Sequence, residues 1–105
     1  MTSIGRLVRT PDLASSNVYS EIAVAAKTVG TTAVLLATGS ATMTDRRLLV
    51  IHNNSSAVVY VGPSGVTTSN GMPVAPSDRV FLPVSTDVYA IAGATGNDVR
   101  IMEAK

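Results

Sequence analysis

From Val18 onward, short apolar runs rich in Val, Ile, Thr and Tyr recur roughly every ten residues, divided by clusters of Gly, Pro, Asn, Ser and Asp. Runs of this length suit strands better than helices. Strands are therefore predicted near 18–29, 33–38, 46–52, 57–62, 79–84, 87–92 and 98–103. The segments "VGTT" (Val29 to Thr32), "NNSS" (Asn53 to Ser56) and "ATGND" (Ala94 to Asp98) read as the turns of hairpins. Over 12–26 an amphipathic helix capped by Asp12 competes with the strand, and we place it second. Short strands on this spacing predict an all-β fold, a small antiparallel β-sandwich or barrel of jelly-roll-like form.

Residues 1–17 have a different texture and are read as an N-terminal arm, with the sandwich domain over 18–105. Pro11 and the "ASSN" cluster divide Ile4, Arg6, Leu7, Val8 and Arg9 from the strand-forming part of the chain. That piece is too short for a stable helix of its own. It is either a frayed terminus or an arm that docks on a neighbouring subunit, and the company of Ile, Leu and Val fits the arm.

A sheet with one wet face should alternate apolar and polar residues. "LLVI" (Leu48 to Ile51), "VVYV" (Val58 to Val61) and "VYAI" (Val88 to Ile91) are apolar on both faces instead. A domain this small is expected to leave one of those faces for something else to cover, either a partner subunit or the arm. Leu49, Ile51, Val59 and Val61 are accordingly candidate oligomer contacts.

Composition sharpens this picture. The chain has 105 residues, of which only 14% are charged, against about 25% in an average soluble domain. The most apolar window, Ile22 to Ala37, is interrupted by Lys27, Gly30, Thr31 and Thr32, so no membrane span is expected. The start, "MTSIGRLVRTPDLASS", lacks the apolar stretch of a secretory signal. "NNSS" matches a glycosylation acceptor formally and is read as a turn. Net charge is +1, which makes no electrostatic case for nucleic acid. Cys is absent, which removes disulfides, thiolate catalysis and Cys-based zinc sites.

Catalytic chemistry is not evident in the pattern. His52 is the lone histidine, and the carboxylates Asp12, Glu21, Asp45, Asp78, Asp87, Asp98 and Glu103 are dispersed without metal-loop or acid–base spacing. "GATGND" lacks the Lys-Ser/Thr of a phosphate loop. No enzyme activity, cofactor, metal or small-molecule substrate is expected. "DRR" (Asp45 to Arg47) reads as a solvated strand entry with a local ion pair. Its functional reading makes Arg46 and Arg47 contacts to an acidic neighbouring protein. The aromatics Tyr19, Tyr60, Phe81 and Tyr89 are too few for a base-stacking platform, and Phe81 is assigned to the core.

The most distinctive stretch is "YVGPSGVTTSNGMPVAP", from Tyr60 to Pro76. Gly62 and Pro63 end a strand, Asn70-Gly71 is a tight-turn pair, and Gly65 and Gly71 are expected to supply angles closed to other residues. Pro73 and Pro76 should hold the returning chain extended on a sheet edge. With "DVYAIAG" and "NDVRIME" downstream, this succession resembles small β-rich structural proteins of tailed bacteriophage virions, of the capsid decoration (cement) or head-fibre type. The resemblance covers roughly the C-terminal 60 residues, on Asn53, Asn54, Tyr60, Gly62, Ser64, Gly65, Val66, Thr67, Asn70, Gly71, Pro73, Tyr89, Ala90, Ile91, Val99 and Arg100. It implies a virion protein, made in the host cytoplasm, that binds the major capsid protein on the outer surface of the head. A homo-oligomer is implied, a trimer by preference; Ile4 to Val8, with Arg6 and Arg9, fall outside the resemblance and are read from the residues themselves as the capsid anchor. A head-fibre or tail module, or a head–tail connector subunit, is the alternative.

Overall fold

In a computed structural model, residues 18–105 form eight β-strands and no helix. The arm expectation for 1–17 lies outside the described residues. The strands are β1 (Ile22–Val29), β2 (Val34–Leu35), β3 (Leu48–Asn53), β4 (Val59–Gly62), β5 (Met72–Val74), β6 (Arg79–Leu82), β7 (Tyr89–Ala92) and β8 (Asn97–Ala104). They make two four-stranded antiparallel sheets, a first of order β1-β8-β3-β6 and a second of order β2-β7-β4-β5. The all-β sandwich is what the run lengths predict. Where helix and strand competed, the strand holds: β1 pairs along its full length with β8, from Ile22 opposite Ala104 to Val29 opposite Asn97.

The turns correct the expected connectivity. "VGTT", "NNSS" and "ATGND" are not hairpins, because each carries the chain from one sheet to the other. Polar turn residues report that a strand ends, not which sheet receives the next one. Two buried asparagines make two of these crossings. The Asn53 amide donates to the carbonyls of Ala57 and Val74, both at 2.8 Å, tying β3 of the first sheet to β5 of the second. Its carbonyl accepts from the amide and hydroxyl of Ser55. Asn97, at the same end of the first sheet, donates to Val29 O of the neighbouring β1 at 3.0 Å and to Ala94 O in the crossing itself at 2.7 Å. Each satisfies backbone carbonyls that a crossover would otherwise bury unpaired.

The β4–β5 connection is the hairpin, and its loop is the Gly/Pro-rich excursion. Val66 is buried and its amide closes a turn onto Pro63 O at 2.9 Å. The loop turns again at Gly71, whose amide donates to Thr67 O at 2.9 Å, while Asn70 Oδ1 accepts from the Thr67 amide at 2.7 Å. A Cβ on Gly71 would lie 2.7 Å from both Tyr60 Cβ and Val66 Cγ2, so this glycine is required for space. The expectation of special backbone angles at Gly65 and Gly71 is not met; among the described glycines the positive φ belongs to Gly96, at 82°. Strand β5 itself is absent from the predicted set because its Pro73 argues against a ladder. It survives as an edge strand, where a missing donor faces outward.

Between the sheets lies a core of Val29, Leu36, Leu49, Ile51, Val59, Val61, Val74, Val88, Ala90, Ala92, Val99 and Ile101. Two charged side chains are buried with it. Glu103 accepts at Oε2 from Arg46 Nη1 at 2.9 Å and from the Met43 amide at 3.1 Å. Its Oε1 accepts from the Thr38 amide at 2.8 Å and the Thr38 hydroxyl at 2.7 Å. Arg46 donates further to the carbonyls of Val84 and Thr86. Burial pushes the Glu103 carboxyl toward a higher pKa, but these donors outweigh it and hold it below the usual carboxylate range. The reading of Arg46 as a solvated or partner-facing residue is therefore corrected. Its partner is a carboxylate 57 positions along the chain.

Candidate functional site

Alternation sorts the first sheet into an inner face and an outer face. Leu49 and Ile51 of β3, with Val59 and Val61 of β4 in the second sheet, point inward and are at most 4% exposed. They are core residues and present no surface to another chain. Of the contacts expected from sequence, Arg46 is also interior, and Ile4, Arg6, Leu7, Val8 and Arg9 lie outside the described residues. Arg47 stays near the surface. Its guanidinium stacks 5.1 Å above the Tyr19 ring and donates to Val18 O at 3.1 Å.

The outward side of the doubly apolar strands lies elsewhere. The β1–β8, β8–β3 and β3–β6 registers align Val24, Met102, Val50 and Phe81 in one row across all four strands. Val24 is 71% exposed and Phe81 61%, whereas Val50 at the centre is 8% exposed between its neighbours. A second row, Ile22, Ala104 and Leu48, lies beside it, and Ile22 is 63% exposed. Phe81 is thus not core: β6 turns Val80 and Leu82 inward and Phe81 out with Arg79. Arg79 shares its parity, which is the sequence signal that would have placed it.

On the other flank the register aligns Ala26, Arg100, His52 and Arg79. A depression of about 380 Å³ runs along the junction of this row with the apolar one, over Val24, Ala26, Val50, His52, Arg100 and Met102. Arg100 is engaged with Asp98, Nη2 to Oδ2 at 2.9 Å, and Asn54 donates to the same oxygen at 2.8 Å. The Arg100 and Asn54 hydrogen bonds hold the Asp98 carboxyl below its ordinary pKa, and Asp98 in turn raises that of Arg100. Arg79 is exposed and makes no ion pair among the described residues. The His52 Nδ1 is buried without a hydrogen-bond partner.

The second sheet differs. Its outward residues Tyr60, Tyr89, Ile91 and Leu35 are all half-buried. The 63–71 loop packs back against Tyr60 through Val66 and Gly71. Among the described residues no three His, Asp or Glu side chains gather in a group that could hold a metal ion. Among the described residues, the constellation with unsatisfied capacity is the outer face of the first sheet, where exposed aliphatics and an aromatic adjoin an unpaired guanidinium. That is the equipment of a protein-docking surface. No protein-family model, curated protein or solved structure matches this chain.

Proposed function

We propose that this chain is a non-catalytic structural protein of a tailed-bacteriophage virion, a capsid decoration protein that binds the major capsid protein on the outer surface of the head. The observation that carries the docking role is the exposed apolar face of the first sheet, Ile22, Val24 and Phe81, on a domain with so few charges. The order of "VYVGPSGVTTSNGMP", "DVYAI" and "NDVRI" supplies the virion context through its resemblance to small phage structural proteins. A surface of this kind suits a static, repeated contact, since it offers apolar area and shape rather than reactive groups. The decorating species is a homo-oligomer, a trimer by preference, in keeping with closed symmetry on a symmetric lattice.

The test is sedimentation of purified protein with unexpanded and with expanded heads of its phage. Saturable co-sedimentation with expanded heads is expected. Failure to bind either form, with self-assembly into rings or fibres, would move the protein to the tail or the connector.

A further inference from the structure

We infer that the outer face of the first sheet docks an acidic, aliphatic strip of another protein, a carboxylate reaching Arg79 while aliphatic side chains cover Val24 and Phe81. This deepens the decoration reading and rests on it for the identity of the partner. It moves the anchor from the N-terminal arm to a rigid sheet face.

The choice of occupant is set by charge. Within the described residues the face holds two guanidinium groups, Arg79 and Arg100, against one carboxylate, Asp98, and Asp98 is already bound by Arg100 and Asn54. Arg79 is left to be neutralised from outside. A second copy stacked on this face would bring the same row, with its carboxylate committed, so both Arg79 side chains would be covered without a partner. Burying an unpaired charge is costly, and like charges across an interface oppose association. Residues 1–17 are unsuited on the same ground, since Arg6 and Arg9 outnumber Asp12. A carboxylate-bearing strip satisfies Arg79, which lies directly opposite His52 of β3. Nucleic acid and anionic lipid are poor fits, because each needs several free cations where this face has one.

The probe is a short synthetic peptide of repeated Glu-Val-Ser, with a Lys-Val-Ser peptide as its counterpart, titrated into the isotopically labelled full chain and followed by amide NMR. The glutamate peptide is expected to shift Val24, Val50, His52, Arg79 and Phe81. Its affinity should fall by about tenfold in Arg79→Glu and again in Val24→Asp, while the lysine peptide leaves these amides in place. An Ile91→Ser change on the second sheet serves as the control and should leave the titration unaltered. Equal response to both peptides, or no shift at millimolar peptide, overturns the inference. So does a peptide-free oligomer that Val24→Asp dissociates, which would make a second copy the occupant. New shifts on this face when residues 1–17 are deleted would instead show that the chain's own segment covers it. The same variants sedimented with heads keep the two proposals apart. Heads that bind wild type, Val24→Asp and Arg79→Glu alike refute the face while sparing the decoration role. Heads that bind none, with the peptide response intact, refute the role while sparing the face.

Discussion

Replacing Glu103 by Gln tests whether the buried ion pair is as dry as its geometry implies. The change keeps the shape and removes the charge. The retained carbonyl oxygen can still accept from the Thr38 amide and hydroxyl, at 2.8 and 2.7 Å in the parent. The new NH2 group stands where Oε2 accepted from Met43 N and Arg46 Nη1, at 3.1 and 2.9 Å, so donors confront donors. Flipping the amide moves the same conflict to the Thr38 N–H. Arg46 keeps the carbonyls of Val84 and Thr86, yet its charge is left buried without a counter-charge. Breaking a buried pair on one side costs about 3–5 kcal/mol, and the surviving carbonyl contacts set the lower end here. For a domain of this size about 3 kcal/mol lowers Tm by roughly 12–24 °C. Urea denaturation of wild type, Glu103→Gln, Arg46→Met and the double variant closes a cycle whose coupling should be about 1–3 kcal/mol. Single losses below about 1 kcal/mol that simply add would show a hydrated site and refute the reasoning.

Three further outcomes are expected. Because the Glu103 carboxyl is held below its ordinary pKa, its contribution is complete above the unfolded value of about 4.3 and is lost as pH falls through the folded value; Glu103→Gln should flatten the acid limb of a stability–pH curve measured by denaturation. Gly71→Ala should cost about 1–3 kcal/mol, since its Cβ meets Tyr60 and Val66 at 2.7 Å, whereas Gly65→Ala, with nothing within 4 Å, should be close to neutral in the same thermal melts. Ile51→Asp puts a carboxylate into the core and should unfold the domain, while Val24→Asp should cost less than about 1 kcal/mol; circular dichroism of both variants separates core from docking face.

The strands were legible where β-branched residues cluster, and β3, β4, β6, β7 and β8 fall within two residues of the predicted limits. What local pattern could not convey was destination. "NNSS" looks like a hairpin because Asn and Ser break a strand either way; only the buried Asn53 side chain, reaching Val74, shows that the chain changes sheets. The doubly apolar runs did not name the exposed residues. Leu49 and Ile51 face the core, their outward neighbours Leu48 and Val50 are half-buried and buried, and the exposed Ile22 and Val24 lie on β1 and Phe81 on β6. Parity with Arg79 would have placed Phe81 outward, but on β8 it gives no answer, since Arg100 shares the side of Met102 while Glu103 shares that of the buried Val99 and Ile101. The Arg46–Glu103 pair had no such signal, because nothing local joins positions 57 apart.

The molecule buries one ion pair while leaving several large aliphatic and aromatic side chains exposed. Arg46 and Glu103 are buried while Ile22, Val24 and Phe81 are exposed. A buried pair is weak evidence for stability, because well-packed apolar residues of similar volume often serve as well. What this pair adds is position. Between β2 and β3 the chain has no regular structure to hold it, and Thr38, Met43 and Arg46 are each fastened to Glu103 on β8, the strand between β1 and β3. Arg46 carries the connection on to the carbonyls of Val84 and Thr86 beyond β6. Glu103 thereby fastens the β2–β3 connection, and through Arg46 the chain beyond β6, to the inner side of β8. Ile22 and Val24 lie on β1 and Phe81 on β6, the two edge strands of the first sheet, so it is the pairing of β1 with β8 and of β6 with β3 that holds these exposed side chains in place.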